Sequence, residues 1–252
     1  FNDIVKNLKA NQTAVNFIKN KIYSTVKNKK YADILTNFDH PFTAKRPTLN
    51  TNYYEMFNKK NVELVDLKQS PIIKITKRGI KTKKGEYILD KIIFATGFDA
   101  LTGSILKLNI TGKKGINLSK FWSKGPKSFL GLLVPNFPNL FIVSGPGSPS
   151  VLTNVPVQIE QHVNWITNCI RYLEKNRKKS IETTNLAAKK WQKEIMNSVK
   201  KTLFMKAKSS WYKGDNIPGK PKTFLPYPGG MPKYKNECIK VEKNKYKELK
   251  IS

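Results

Sequence analysis

Asn139-Leu140-Phe141-Ile142-Val143-Ser144-Gly145-Pro146-Gly147-Ser148-Pro149-Ser150 is the stretch whose reading decides the fold. A continuous apolar run that stops at glycine is the pattern of a strand buried on both faces of a sheet. The two glycines let the backbone turn tightly and lie close to a bound ring or phosphate. Gln161-His162-Val163-Asn164-Trp165 follows on a helix that continues to Ile170. That helix would aim its unpaired first amides and positive dipole end at the bend. Strand, glycine bend and helix start together suit a flat, anionic ligand, and a reduced flavin is one.

Upstream, Ile92-Ile93-Phe94-Ala95 ends at Thr96-Gly97 and repeats the signature. Two buried strands, each closing in a glycine loop, predict an α/β fold with a doubly wound sheet and a ligand at the strands' carboxyl ends. Before them, Val62 to Asp66, Ile72 to Ile75 and Tyr87 to Leu89 read as short strands, with a turn near Arg78-Gly79. The chain starts helical: Ala14, Phe17, Ile18, Ile22 and Val26 recur at helical spacing after an Asn11 or Thr13 cap. One more turn spans Tyr31 to Leu35, and Pro41 stops it. In the helix after the bend, Ile159, Val163, Ile166, Ile170 and Leu173 define the expected core face, with Thr153 or Asn154 as cap and Pro156 in the first turn. A last helix is expected from Asn185 to Leu203, then a long loop through Trp211 and Pro221. The lysine-rich end from Lys233 reads as a solvated tail.

With 252 residues and 39% hydrophobic content, the chain can build a packed core. Its two cysteines, Cys169 and Cys238, have neither CxxC spacing nor a disulfide framework, which suits a reducing, cytoplasmic setting. No metal site is expected, and no apolar run is long enough to span a membrane. The formal charge of +30 invites a nucleic-acid reading, since clustered cations neutralise phosphates. Yet only four of the 47 cations are arginines, the lysines are spread along the chain, and asparagine is abundant. Those are products of A/T-rich codons, and no nucleic-acid motif accompanies them. The charge is therefore read as composition, with no nucleic-acid partner expected.

Several segments, in order, resemble Baeyer-Villiger monooxygenases of the cyclohexanone and phenylacetone type, class B flavoprotein monooxygenases. They are Pro41-Phe42, Lys45-Arg46-Pro47, Tyr53 to Asn58, Asn61 to Asp66, and Phe94-Ala95-Thr96-Gly97-Phe98-Asp99-Ala100. Gly145 to Ser150, Gln161-His162, Ser210-Trp211-Tyr212 and Asn216 to Pro221 complete the series. The resemblance implies the C-terminal half of a two-dinucleotide-domain enzyme using FAD and NADPH. Residues 1–90 would then be the end of the NADP domain with part of its helical insertion, and residues 91–252 the returning half of the FAD domain. The family's GxGxxG motifs do not occur here, and the chain opens on Phe1 rather than methionine. It is expected to be a fragment, poorly soluble and inactive alone.

The implied reaction inserts one oxygen of O2 next to a ketone carbonyl through a peroxyflavin, giving an ester or lactone. Its anionic intermediates require a fixed cation, worth about 3 kcal/mol by comparison with other oxyanion donors. Arg46 matches the family's catalytic arginine, and a planar permanent charge is not replaced equivalently by lysine. Without the surrounding motif, Arg46 would read as a surface side chain beside a proline turn. Lys45 resembles the family lysine on the NADP phosphate, against the alternative of a solvated side chain. Trp211 resembles a lid tryptophan that hydrogen-bonds the nicotinamide cofactor, against simple loop packing. Thr96, Gly97 and Gly145 would approach the cofactor, the alternative being ordinary strand-ending turns. Asp99 would either hold its loop or contact a cofactor hydroxyl. Ser150, Val151 and Leu152 match the substrate-pocket loop, where side-chain size selects the ketone. His162 reads as structural. Two other functions stay in view: N- or S-oxygenation by a sister flavin monooxygenase, and, more remotely, a basic nucleic-acid-binding protein.

Overall fold

The structure, a computed structural model, describes residues 3–252, so the opening Phe1-Asn2 of the expected first helix lies outside the described residues. The elements follow in the order α1 (Leu8–Thr25), α2 (Lys29–Leu35), β1 (Ile72–Thr76), β2 (Gly79–Thr82), β3 (Gly85–Ile88), α3 (Gly103–Leu106) and α4 (Leu118–Phe121). Then come α5 (Val155–Lys175), β4 (Ile181–Thr183), α6 (Asn185–Val199), α7 (Met231–Lys243) and β5 (Leu249–Ile251). Strands β1, β2 and β3 form an antiparallel meander, with Ile75 opposite Ile80 and Ile80 opposite Tyr87. Strand β4 pairs antiparallel with β5, Ile181 opposite Ile251.

The main core lies where α5, α6 and α7 meet, around Trp165, Cys169, Trp191, Ile195, Tyr234 and Cys238. A second cluster joins α1 and α2 through Ile22, Val26, Ala32 and Phe57. A third, under Leu118, Trp122, Val134 and Phe137, supports the segment that leads into the bend.

Several expectations need correction. Helix α1 starts earlier than its sequence pattern suggests, because Asn7 caps it by accepting from the Lys9 and Ala10 amides. No strand forms over residues 62–66. The lysine-rich end is not a tail: Tyr234, Cys238 and Val241 recur every three to four residues and carry α7 into the core. Ile92 to Ala95 forms no strand either, and Ile93 and Phe94 are 90% and 68% exposed. Asn139 to Ser144 is buried in part but makes no ladder, since Asn139 (φ 60°) and Ser144 (φ 57°) take left-handed conformations that break extension at both ends. The doubly wound sheet expected from these two runs is thus not seen among the described residues, whose strands pair antiparallel. On α5, three residues of the expected core face point outward, with Ile159, Val163 and Ile170 exposed, while Ile166 packs partly buried against the main core and Leu173 is buried. The buried face is Gln158, His162, Trp165, Cys169 and Leu173. What α5 packs against explains the reversal: α7 and a loop backbone rich in polar groups.

Candidate functional site

That loop is the glycine bend. Ser144, Gly147 and Ser150 all adopt positive φ (57°, 93° and 48°). For a residue with a Cβ such a conformation costs about 1–2 kcal/mol, so the two serines persist only where the surroundings hold them. Gly145 is required by space: a Cβ there would lie 2.5 Å from the Gly131 carbonyl oxygen and 2.7 Å from Ile142.

Side chains from three helices satisfy the bend's polar groups. From α5, Gln158 donates through Nε2 to Ser144 Oγ (3.2 Å) and Ser148 Oγ (3.1 Å). His162 Nδ1 accepts from the Ser144 amide at 3.0 Å. From α6, Trp191 Nε1 donates to the Gly147 carbonyl at 2.9 Å. From α7, the Tyr234 hydroxyl meets His162 Nε2 at 2.8 Å and donates to the Leu130 carbonyl at 2.6 Å. Ser148 Oγ donates to the Gly145 carbonyl at 2.7 Å, and the Gly147 amide donates to the Leu225 carbonyl at 2.6 Å. This set fixes the imidazole tautomer: Nδ1 accepts, so Nε2 carries the proton and donates to the Tyr234 oxygen. Burial lowers the His162 pKa to about 4, consistent with a neutral ring. The structural reading of His162 fits this geometry. Gln158 and Tyr234, by contrast, carried no signal in the sequence beyond lying near the bend or inside a lysine-rich segment.

The Lys45-Arg46 segment is anchored from α1. Asn11, buried on that helix, donates to the Ile4 (2.8 Å) and Phe42 (2.9 Å) carbonyls and accepts from the Phe42 amide at 2.9 Å. Arg46 is exposed, and its Nη1 donates to the Val151 carbonyl, the residue after the strained Ser150. The arginine motif and the pocket-loop motif, separated by 105 residues, therefore meet. The phenol of Tyr212 is shifted up by burial, with the Arg46 charge acting the other way, so the Trp211-Tyr212 turn lies within electrostatic range of the guanidinium. Trp211, Val151 and Leu152 are partly buried against the main core.

The remaining candidates divide. Lys45 Nζ lies 3.7 Å from Asp39. Asp39 is itself held below its usual carboxylate range, mainly by the His40 hydrogen bond. Lys45 and Arg46 line a cleft of about 740 Å³ with Lys21, His40, Asn50 and Tyr54. Asp99 forms an ion pair with Lys220, which also donates to the Ala100 carbonyl at 3.1 Å. Thr96 and Gly97 stand exposed, and a Cβ at Gly97 would meet nothing within 4 Å. Glycine is needed there for its φ of 90° rather than to avoid a protein neighbour. No helix among the described residues is long and apolar enough to cross a membrane.

In comparisons with known proteins, no family model matches the chain. It is 41% identical over 252 residues to a cyclohexanone 1,2-monooxygenase of Acinetobacter sp, covering 100% of this chain and 46% of that protein. It is 39% identical over 242 residues to phenazine N-monooxygenase PhzNO1 of Lysobacter antibioticus, covering 96% of this chain and 44% of that protein. Among solved structures, that of OTEMO in complex with FAD and NADP matches with a TM-score of 0.94 and 36% identity, covering 100% of this chain and 46% of that one. The chain has the α/β fold of the C-terminal portion of flavoprotein monooxygenases. More narrowly, the homologues that span the whole or nearly the whole of this chain include Baeyer-Villiger monooxygenases. The chain spans about half the length of the curated relatives it matches.

Proposed function

We propose that this chain supplies the catalytic arginine and substrate loop of an FAD- and NADPH-dependent monooxygenase that converts a ketone to an ester or lactone with O2. The observation that carries the reading is the hydrogen bond from Arg46 to the Val151 carbonyl, which joins the two motifs the chemistry needs side by side. Bound flavin and nicotinamide would supply reducing equivalents and oxygen activation. The residues fit such groups: Lys21, Lys45 and Arg46 border one cleft, and Gly97 offers open backbone without a Cβ. Arg46 would hold a permanent positive charge beside the oxyanion that develops as oxygen adds to the carbonyl. Lys45 would meet a cofactor phosphate in exchange for Asp39. Trp211, on its short turn, would close over the nicotinamide, while Ser150, Val151 and Leu152 bound the substrate. Asp99, tied to Lys220, would hold the Thr96-Gly97 loop against the cofactor rather than contact it.

In the same reading, residues 1–90 close the NADP-binding unit and residues 91–252 the FAD-binding unit. The outward stripe of Ile159, Val163 and Ile170, with Ile93 and Phe94, would be covered by the flavin-binding half of the enzyme. The protein would act in the cytoplasm, consistent with two buried, unpaired thiols.

Arg46→Ala in the flavin-loaded enzyme is the test. NADPH consumption should continue while ester formation falls by about 100-fold or more. Ester made at the parent's rate would remove Arg46 from the mechanism. A second reading, heteroatom oxygenation, is favoured by the 39% identity to a phenazine N-monooxygenase. Turnover of N-heteroaromatics with no ketone oxidation would select it.

A further inference from the structure

We propose that Gln158 and His162 are positioning residues that set the Arg46 guanidinium at a distance, by fixing the bend whose Val151 carbonyl receives it. This rests on the monooxygenase reading above for its consequence in catalysis, but the geometry is independent of it.

Both side chains are fully buried, although the helix that carries them offers isoleucine and valine one position away. Burying polar groups where apolar ones are at hand needs a return, and here it is the bend. Gln158 bridges Ser144 and Ser148, the residues on either side of Gly145-Pro146-Gly147. His162 takes the amide of Ser144, the first left-handed residue. The imidazole is in turn fixed by Tyr234, itself fully buried and bonded to the Leu130 carbonyl. The chain of contacts therefore runs from α7 through His162 to Ser144, along the bend to Ser150 at φ 48°, and out to the Val151 carbonyl. Arg46 is exposed and sits on a loop, so its long side chain has many rotamers. A carbonyl held in one place selects among them. Small misplacement of a charged group carries a large kinetic penalty because stabilisation depends on geometry set before reaction. Gln158 Oε1 has no partner among the described residues, so the amide is kept for its donor end.

The experiment compares Gln158→Met and His162→Asn with the parent in the flavin-loaded enzyme that contains this chain. Methionine preserves length and removes the donor, while asparagine keeps an acceptor near the Ser144 amide and gives up Tyr234. Amide hydrogen exchange over residues 144–151 should rise by about tenfold in Gln158→Met and less in His162→Asn. Ester formed per NADPH consumed should fall by about fivefold in Gln158→Met, with flavin reduction by NADPH within about twofold of the parent. Unchanged exchange in both variants overturns the clasp. Faster exchange with unchanged ester yield overturns its link to Arg46. A parent that makes no ester overturns the ketone reading instead, and the exchange result then judges the clasp alone. If His162→Asn does not fold, Gln158→Met decides.

Discussion

Two apolar runs in this chain carry the same sequence signature and meet opposite fates. Residues 92–97 end in an exposed, unsupported Gly97, whereas residues 139–147 end in a bend tied down by Gln158, His162 and Trp191. The difference lies outside both runs. An apolar stretch that stops at glycine says only that it prefers cover, and what provides the cover is written elsewhere in the chain. For the second run, Leu140 and Ile142 are covered by the cluster of Leu118, Trp122, Val134 and Phe137, and Phe141 by the main core, while side chains of α5 and α6 hold the bend. For the first, none is present among the described residues.

The sharpest way to break this comparison is at the glycines. Gly145→Ala would push a methyl into the Gly131 carbonyl oxygen, a backbone atom 2.5 Å away that cannot swing aside. Denaturant unfolding should show a loss of about 4 kcal/mol, beyond ordinary overpacking. Were the loss under about 1 kcal/mol, the bend would not be the pinned element described.

Next in size is the pH response of His162. Its ring titrates near 6.5 in the unfolded chain and near 4 when buried against Tyr234. Since the folded pKa is the lower one, the neutral ring's contribution is complete above pH 6.5 and is lost as pH falls toward 4. Between those values the unfolded chain takes up a proton that the folded chain refuses, a loss of about 3 kcal/mol in all. The carboxylates Glu182 and Asp215, held below their usual range by Lys113 and Lys213 against the opposing effect of burial, weaken the fold in acid as well. The His162 share is therefore the difference in slope between the parent and His162→Asn. Equal slopes would mean that the ring is not the buried neutral group assigned.

These two effects also explain what was legible in the sequence. Arg46 and residues 150–152 are legible as separate motifs, and the helices α2, α5 and α6 and the β1 to β3 region follow from local pattern. The direction of α5 does not. Helical spacing reads Ile159, Val163 and Ile170 as the core face, because periodicity weighs side chains by hydropathy and ignores the backbone polar groups that a neighbouring loop must satisfy. A bend with left-handed serines outbids an apolar stripe for the inner face. Helix α7 was hidden for a related reason: its lysines dominate the composition, while Tyr234, Cys238 and Val241 occupy one face in three to four. Asn11 and Lys220, which steady the Arg46 and Asp99 loops, are single residues whose partners lie far along the chain.

A smaller effect is expected at the exposed glycine. Gly97→Ala meets no atom within 4 Å, so only the left-handed φ of 90° resists it. The penalty should be about 1 kcal/mol by denaturant unfolding, a fraction of that at Gly145. A penalty as large as at Gly145 would mean that the two bends are supported alike and the contrast fails.

The smallest effect separates the chain from the enzyme proposed to contain it. Ile93 and Phe94 are 90% and 68% exposed, so Ile93→Thr and Phe94→Ser remove little buried area. In the 252-residue chain each should change stability by less than about 0.5 kcal/mol, the range of ordinary surface substitutions. Beside the flavin-binding half the same changes should cost about 1–3 kcal/mol each, because there the side chains would be withdrawn from water and the new hydroxyls would need partners. The ratio of the two measurements is what matters. If the cost is the same in both settings, the apolar run at 92–95 is a free surface in the enzyme too, and the flavin-binding half does not lie over it.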